Sequence, residues 1–158
     1  MEIYNTQGWL SDKNIIDILY FIVEKIKDQD ITRRLDGGVN LKIWWIARPP
    51  RDIDIRTNQA WYKSFKDIFL QTKKEEWYDE KKKKHYIIFN MQWSEVEIAY
   101  YDQEATCMDM FEDIIEKDRN NIKVPVLPLI KMKEFYTQIW SIEKTNLIEN
   151  FLNKTNFQ

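Results

Sequence analysis

The chain of 158 residues has few cysteines, histidines, glycines and prolines, and each scarcity removes a class of explanation. A single cysteine, Cys107, cannot build a disulfide framework or a cysteine-ligated zinc site, and it is read as a small filler residue. Nothing in the sequence supports pairing Cys107 with the single histidine, His85, as a catalytic dyad. With three glycines and four prolines there is no linker that would divide the chain, and no internal repeat is visible. Long apolar runs are missing, so no window has the length of a membrane span. The opening MEIYNTQGWLSDKN is polar and lacks the apolar segment of a signal peptide. Asn153, in NKT, would be a glycosylation acceptor only in a secreted protein. The expectation is a soluble cytoplasmic protein with no membrane partner. Neither charge sign dominates: a net charge of -2 gives no long-range field that marks a nucleic-acid binder, although a local basic patch stays open.

What is present suffices for one globular domain, read as residues 1–158, with a 44% hydrophobic and 15% aromatic content to fill its core. Ser11 to Lys27 has a capping residue and isoleucines at helical spacing. ITRRLDGG reads as a short strand broken by Gly37 and Gly38, and VNLKIWWIA as a short helix stopped by Pro49 and Pro50. RDIDIRT alternates, with Ile53 and Ile55 on one face and Asp52, Asp54 and Arg56 on the other. NQAWYKSFKDIFLQTKK reads as an amphipathic helix with Trp61, Phe65, Ile68 and Phe69 inward. KKEEWYDEKKKK reads as a charged connector, HYIIFNMQW and SEVEIAYY as two strands, CMDMFEDIIEKDRNN as a helix and IKVPVLPL as extended. Two helices close the chain, from about residue 129. The sum is an α+β fold, a small mixed sheet flanked by helices.

Two features carry chemistry. Asp52 and Asp54 project from one strand face, where ionised neighbours repel and a divalent cation is the simplest remedy. Glu95 and Glu97 share a face of SEVEIAYY, and if that strand lies beside RDIDIRT, Glu97 joins the aspartates in a carboxylate triad suited to metal. The glycine pair, between strand and helix, lets backbone come close to a ligand, and the N–H groups that follow suit a phosphate.

LDGG, RDIDI and VEI together resemble the nucleotidyltransferase superfamily with the polymerase-beta-like fold. That family runs strand, Gly-Gly or Gly-Ser, helix, a hydrophobic-Asp-hydrophobic-Asp strand, then a third acid on a later strand. The Gly-Gly version occurs in small antibiotic-modifying members such as lincosamide nucleotidyltransferases, and in toxin-type members of abortive-infection and toxin-antitoxin systems. VPVLPLIKMKEF resembles the toxin-type branch, with Lys133 the best match to its helix lysine. SIEKTNLIENF, with Glu143 and Lys144, has no clear match to that branch's Arg/Lys-Asp signature.

The resemblance implies that Asp52 and Asp54 hold Mg²⁺, two ions in all, and that Glu97 either completes the metal site or acts as general base on the acceptor hydroxyl. It implies that Gly37, Gly38, Arg48, Arg51, Lys131 and Lys133 bind the phosphates of a nucleoside triphosphate. The acceptor would be a hydroxyl-bearing molecule, either small, such as an antibiotic, or a tRNA. A homodimer is compatible with so small an enzyme, and a catalytically silent nucleotide-binding module is the alternative. The run Lys81 to Lys84 reads as a solvated turn before a strand. The tryptophans Trp44, Trp45, Trp61, Trp77, Trp93 and Trp140 are read mostly as core, with Trp93 the first candidate among them for stacking on a nucleobase or aromatic acceptor.

Overall fold

The computed structural model describes residues 9–46 and 49–155, except for the side chains of residues 106–108. Arg48 and the side chain of Cys107 therefore lie outside the described residues. The first helix, α1 (Asp12–Ile26), starts at Ser11, whose hydroxyl accepts from the Asn14 amide, and buries Ile15, Ile18, Leu19, Ile22 and Ile26. Strand β1 (Arg33–Asp36) runs directly into helix α2 (Gly37–Ile43). This helix begins at the glycine pair and ends earlier than the sequence suggested. Trp45 takes a left-handed φ of 64° and Trp44 donates from its indole nitrogen to the Leu127 carbonyl at 3.0 Å.

Strand β2 (Ile53–Thr57) is followed by helix α3 (Gln59–Ile68), capped by Asn58. Then come β3 (Lys73–Asp79), β4 (Lys84–Met91) and β5 (Ser94–Tyr101). The charged stretch read as a connector is thus a strand, and the helix before it stops short of the lysines. An edge strand needs few apolar residues, and charged side chains protect its open hydrogen-bonding row from pairing with another chain. The expected helix CMDMFEDIIEKDRNN is also absent. Short 3-10 turns (Gln103–Met108, Phe111–Asp113) lead into β6 (Ile115–Arg119), which pairs with β7 (Ile122–Val126). Asn120 and Asn121 form the turn with φ of 46° and 65°, a left-handed pair that asparagine tolerates and a helix does not. Helices α4 (Leu129–Gln138) and α5 (Ile142–Thr155) complete the chain where expected.

The main sheet has the order β1-β2-β5-β4-β3 and is mixed, since β2 and β5 are parallel and the other neighbours antiparallel. Alternation divides its two faces. Ile53, Ile55, Ile87, Phe89, Val96 and Ile98 enter a core shared with α1 and α3. Their neighbours Asp54, Arg56, Tyr86, Glu97 and Tyr101 face the other way, toward a cleft walled by α4 and α5. No helix among the described residues is long and apolar enough to cross a membrane.

Candidate active site

The site forms where β1, β2 and β5 meet. Register places Asp36 opposite Asp54 across the antiparallel pair, and Asp54 opposite Glu97 across the parallel pair. The expected adjacency of the two carboxylate strands is therefore what the sheet shows. Asp52, one residue ahead of β2, is exposed.

Gly37 explains why so glycine-poor a chain places a glycine pair just upstream of the aspartates. Its φ is 61°, and a Cβ there would lie 1.8 Å from Asp54 Oδ2. The missing side chain makes room for a carboxylate of the chain itself. A Cβ on Gly38 would stand 3.1 Å from Pro50 Cβ, so the second glycine lets α2 pack against the proline stop.

The acids have different electrostatic fates. Asp36 is buried and clamped: Arg56 Nη2 donates to its Oδ2 at 2.8 Å, and Arg34 Nη1 lies 3.5 Å from its Oδ1. Burial alone would raise its carboxyl, but the two guanidiniums hold it well below the usual range. Tyr136 donates its hydroxyl toward Asp36 Oδ1 and the Gly37 carbonyl, both at 3.3 Å. The Asp54 carboxylate makes no hydrogen bond or ion pair among the described residues, and burial, followed by Glu97, Asp52 and Asp36, pushes it up to about 7. Asp52, although its surface is exposed, is raised as well, by partial desolvation from the surrounding protein and then by Glu97. Glu97 accepts from Lys84 Nζ at 2.8 Å. Burial and the nearby Arg56 bring Lys84 down to about 8, against the attraction of Glu97.

Among the described residues no group of three His, Cys, Asp or Glu side chains converges closely enough to hold a metal ion. Glu97 is engaged by Lys84 instead. The donor chemistry nonetheless fits hard divalent cations: burial and the charge of Glu97 raise the proton affinity of Asp52 and Asp54, and Asp54 has no ion-pair partner of its own among the described residues.

Gly37, Asp54 and Glu97 line a cleft of about 940 Å³ between the sheet and α4–α5. Arg51, Lys131 and Lys133, also predicted as phosphate ligands, lie outside the cleft lining. Arg51 is exposed, with its guanidinium over the Trp9 ring at 4.8 Å. The period of α4 turns Met132, Phe135 and Tyr136 inward. Lys131 is left to pair with Glu134 at 3.1 Å and Asp113 at 3.7 Å, and Lys133 with Glu149 at 3.1 Å. The cation that does reach the cleft from the helices is Lys144, on α5. It forms no ion pair among the described residues, lies over the Tyr136 ring at 4.9 Å, and its charge favours the ionised forms of Asp36, Asp52 and Asp54. Sequence spacing alone does not single it out, because its approach depends on how α5 packs.

Trp93 stands at the β4–β5 turn, 91% exposed and outside the cleft lining. Trp77 and Trp140 are the tryptophans that line it, and Lys81, Lys82, Lys83 and Lys84 join them from the β3–β4 turn.

The fold recurs in solved structures. A nucleotidyltransferase candidate from Thermotoga maritima, TM1012, superposes with a TM-score of 0.71 at 18% identity, over 95% of this chain and 99% of its own. The lincosamide antibiotic adenylyltransferase LnuA, in a lincomycin-bound structure, gives a TM-score of 0.58 at 13% identity, over 89% of this chain and 98% of its own. The chain has a nucleotidyltransferase-like fold. In this nucleotidyltransferase-like fold, Asp36, Asp54 and Glu97 are register partners across β1, β2 and β5, and Gly37 follows Asp36 at the start of α2. No protein-family model matches the sequence, and none of the curated proteins does.

Proposed function

We propose that the protein is a Mg²⁺-dependent nucleotidyltransferase that moves a nucleoside monophosphate from a nucleoside triphosphate to a hydroxyl-bearing acceptor. The observation that carries this reading is Asp54, an unpartnered carboxylate seated against Gly37 and in register with Glu97. Asp52, Asp54 and Glu97 would hold the cations, which when bound supply positive charge against the triphosphate and acidify the acceptor hydroxyl. The backbone at Gly37 and Gly38 and the ammonium of Lys144 would hold phosphate oxygens. The acceptor oxygen attacks the α-phosphorus, the bond from that phosphorus to the β-phosphate oxygen breaks, and pyrophosphate leaves with the electron pair. Glu97, released by Lys84, takes the hydroxyl proton. Placement and charge compensation do most of the catalytic work.

The likeness to LnuA, an adenylyltransferase seen with an antibiotic, supports ATP as donor, a small hydroxylated acceptor and a role in antibiotic resistance. Toxin-type action on tRNA or protein is the competing acceptor reading. A second reading, a nucleotide-binding module without activity, is favoured by the Lys84–Glu97 ion pair, which occupies the third acid. Incubation with Mg²⁺ and nucleoside triphosphates separates them. The enzyme releases pyrophosphate when an acceptor is supplied; the silent module binds triphosphate and releases none. Triphosphate binding that is indifferent to Mg²⁺ and to Asp52→Ala plus Asp54→Ala would reject both.

A further inference from the structure

The transfer reading leaves the acceptor open, and the far side of the cleft narrows it. Sheet order places Gly37 and Asp54 on one flank of Glu97, and β4 and β3 on the other. In an in-line displacement the attacking and leaving oxygens lie on opposite sides of phosphorus. With phosphates on the glycine flank, the acceptor must enter over β4 and β3.

That flank is built from a flat platform and surplus positive charge. Trp77 and Tyr86 are direct cross-strand partners with ring centroids 4.7 Å apart and planes 6° from parallel. Tyr86 is buried, with Lys84 Nζ 3.9 Å from its ring centroid, while Trp77 keeps 42% of its surface open beside the cleft. Trp77 lies two strands over from Glu97 and two residues along, since its cross-strand row meets β5 at Ala99, a separation of roughly 12 Å. Lys81 and Lys83 line the same cleft and form no ion pair among the described residues, and Lys82 reaches Asp79 only at 3.6 Å. A neutral acceptor would give these lysines nothing to neutralise. A phosphate beside a planar ring would satisfy both halves of the surface, by stacking and by charge.

We propose that the β3–β4 hairpin is the acceptor subsite and that it takes a nucleotide unit, a planar base with an attached phosphate, stacked on Trp77 and held by Lys81 and Lys83. The proposal rests on the transfer reading for the word acceptor, but its binding test does not need transfer. The unit comes either from a free nucleoside monophosphate or from the end of a single-stranded RNA.

The test uses the full chain carrying Asp52→Ala and Asp54→Ala, in metal-free buffer, so that the triphosphate side is disabled. Titration calorimetry compares a nucleoside, the corresponding monophosphate and a hexaribonucleotide. The monophosphate should bind more tightly than the nucleoside and weaken with added salt. Trp77→Leu should reduce its affinity about tenfold, while Trp77→Phe, which keeps a ring, should lose less. Lys81→Gln with Lys83→Gln should weaken binding and flatten its salt dependence. A hexamer much tighter than the monophosphate identifies an RNA end, and equal affinity identifies a free nucleotide. Equal binding of nucleoside and monophosphate, or indifference to Trp77→Leu, overturns the proposal. In the intact site, Trp77→Leu should raise the KM for the acceptor and leave that for the triphosphate unchanged. Failure of pyrophosphate release in the unmutated protein would count against the transfer reading alone.

Discussion

Gly37 and Asp54 show how tightly single residues constrain this site. A side chain at Gly37 meets both a left-handed backbone and the Asp54 carboxylate. Gly37→Ala should cost about 1–3 kcal/mol from the backbone alone, plus whatever Asp54 loses by being displaced. Urea denaturation would measure the first effect and Mg²⁺-dependent triphosphate binding the second. Asp54 also sets a pH dependence. Its carboxyl is held near 7, whereas an unfolded aspartate titrates near 3.9, so across the interval from about 4 to 7 the folded protein binds a proton that the unfolded chain has lost. The folded state binds more protons there, and stability falls as pH rises through that window. In metal-free buffer Asp54→Asn should melt higher than the unmutated protein at pH 8, by an amount on the order of 1–3 kcal/mol. The gap should narrow as pH falls below 7 and close near pH 4, where the unfolded chain's aspartate is protonated as well. A gap independent of pH would show that the carboxyl is not under this strain. Asp36 behaves in the opposite way. Asp36→Asn leaves the buried guanidiniums of Arg34 and Arg56 without their acid and should cost about 3 kcal/mol in urea denaturation.

Among the elements, the strands nearest the chemistry were the most legible. RDIDIRT and SEVEIAYY alternate because one face enters a core and the other a polar cleft, and alternation is the pattern a half-buried strand leaves in sequence. β3 and β6 left no such pattern. KKEEWYD lies at a sheet edge, where charge is protective, so its composition resembles a solvated connector. Before β6, Met108, Phe111 and Ile115 recur at helical spacing although the chain there forms short turns and a strand, and the decisive signal was the Asn120–Asn121 turn. Lys144 was missed because a cation's place in a cleft depends on tertiary packing. Glycine scarcity also has a local consequence. The β4–β5 turn uses Gln92 and Trp93 at φ of 49° and 66°, where Asn-Gly would be at ease. Gln92→Asn with Trp93→Gly should stabilise the protein by about 1 kcal/mol, measured by thermal unfolding. Because Trp93 lies outside the cleft lining, triphosphate binding should not change.

At the scale of the whole molecule, the protein places opposite charges at two ends of one cleft. Acids gather over β1, β2 and β5, lysines over the β3–β4 turn, and Glu97 lies between them, held by Lys84. A net charge of -2 conceals this separation, which is why bulk composition did not disclose a basic flank. The fold shared with TM1012 and LnuA supplies the sheet, while the proposed chemistry would rest on this chain's own carboxylates. The most direct test is Mg²⁺-dependent pyrophosphate release from a nucleoside triphosphate in the presence of acceptor, compared between the unmutated protein and Asp52→Ala plus Asp54→Ala. Release that requires Mg²⁺ and falls at least a hundredfold in the double variant is the expected result, since such electrostatic contributions reach about 10²–10³ for a single group. Release that persists in the double variant, or that ignores Mg²⁺, would contradict the assignment of Asp52 and Asp54 as the centre of the site.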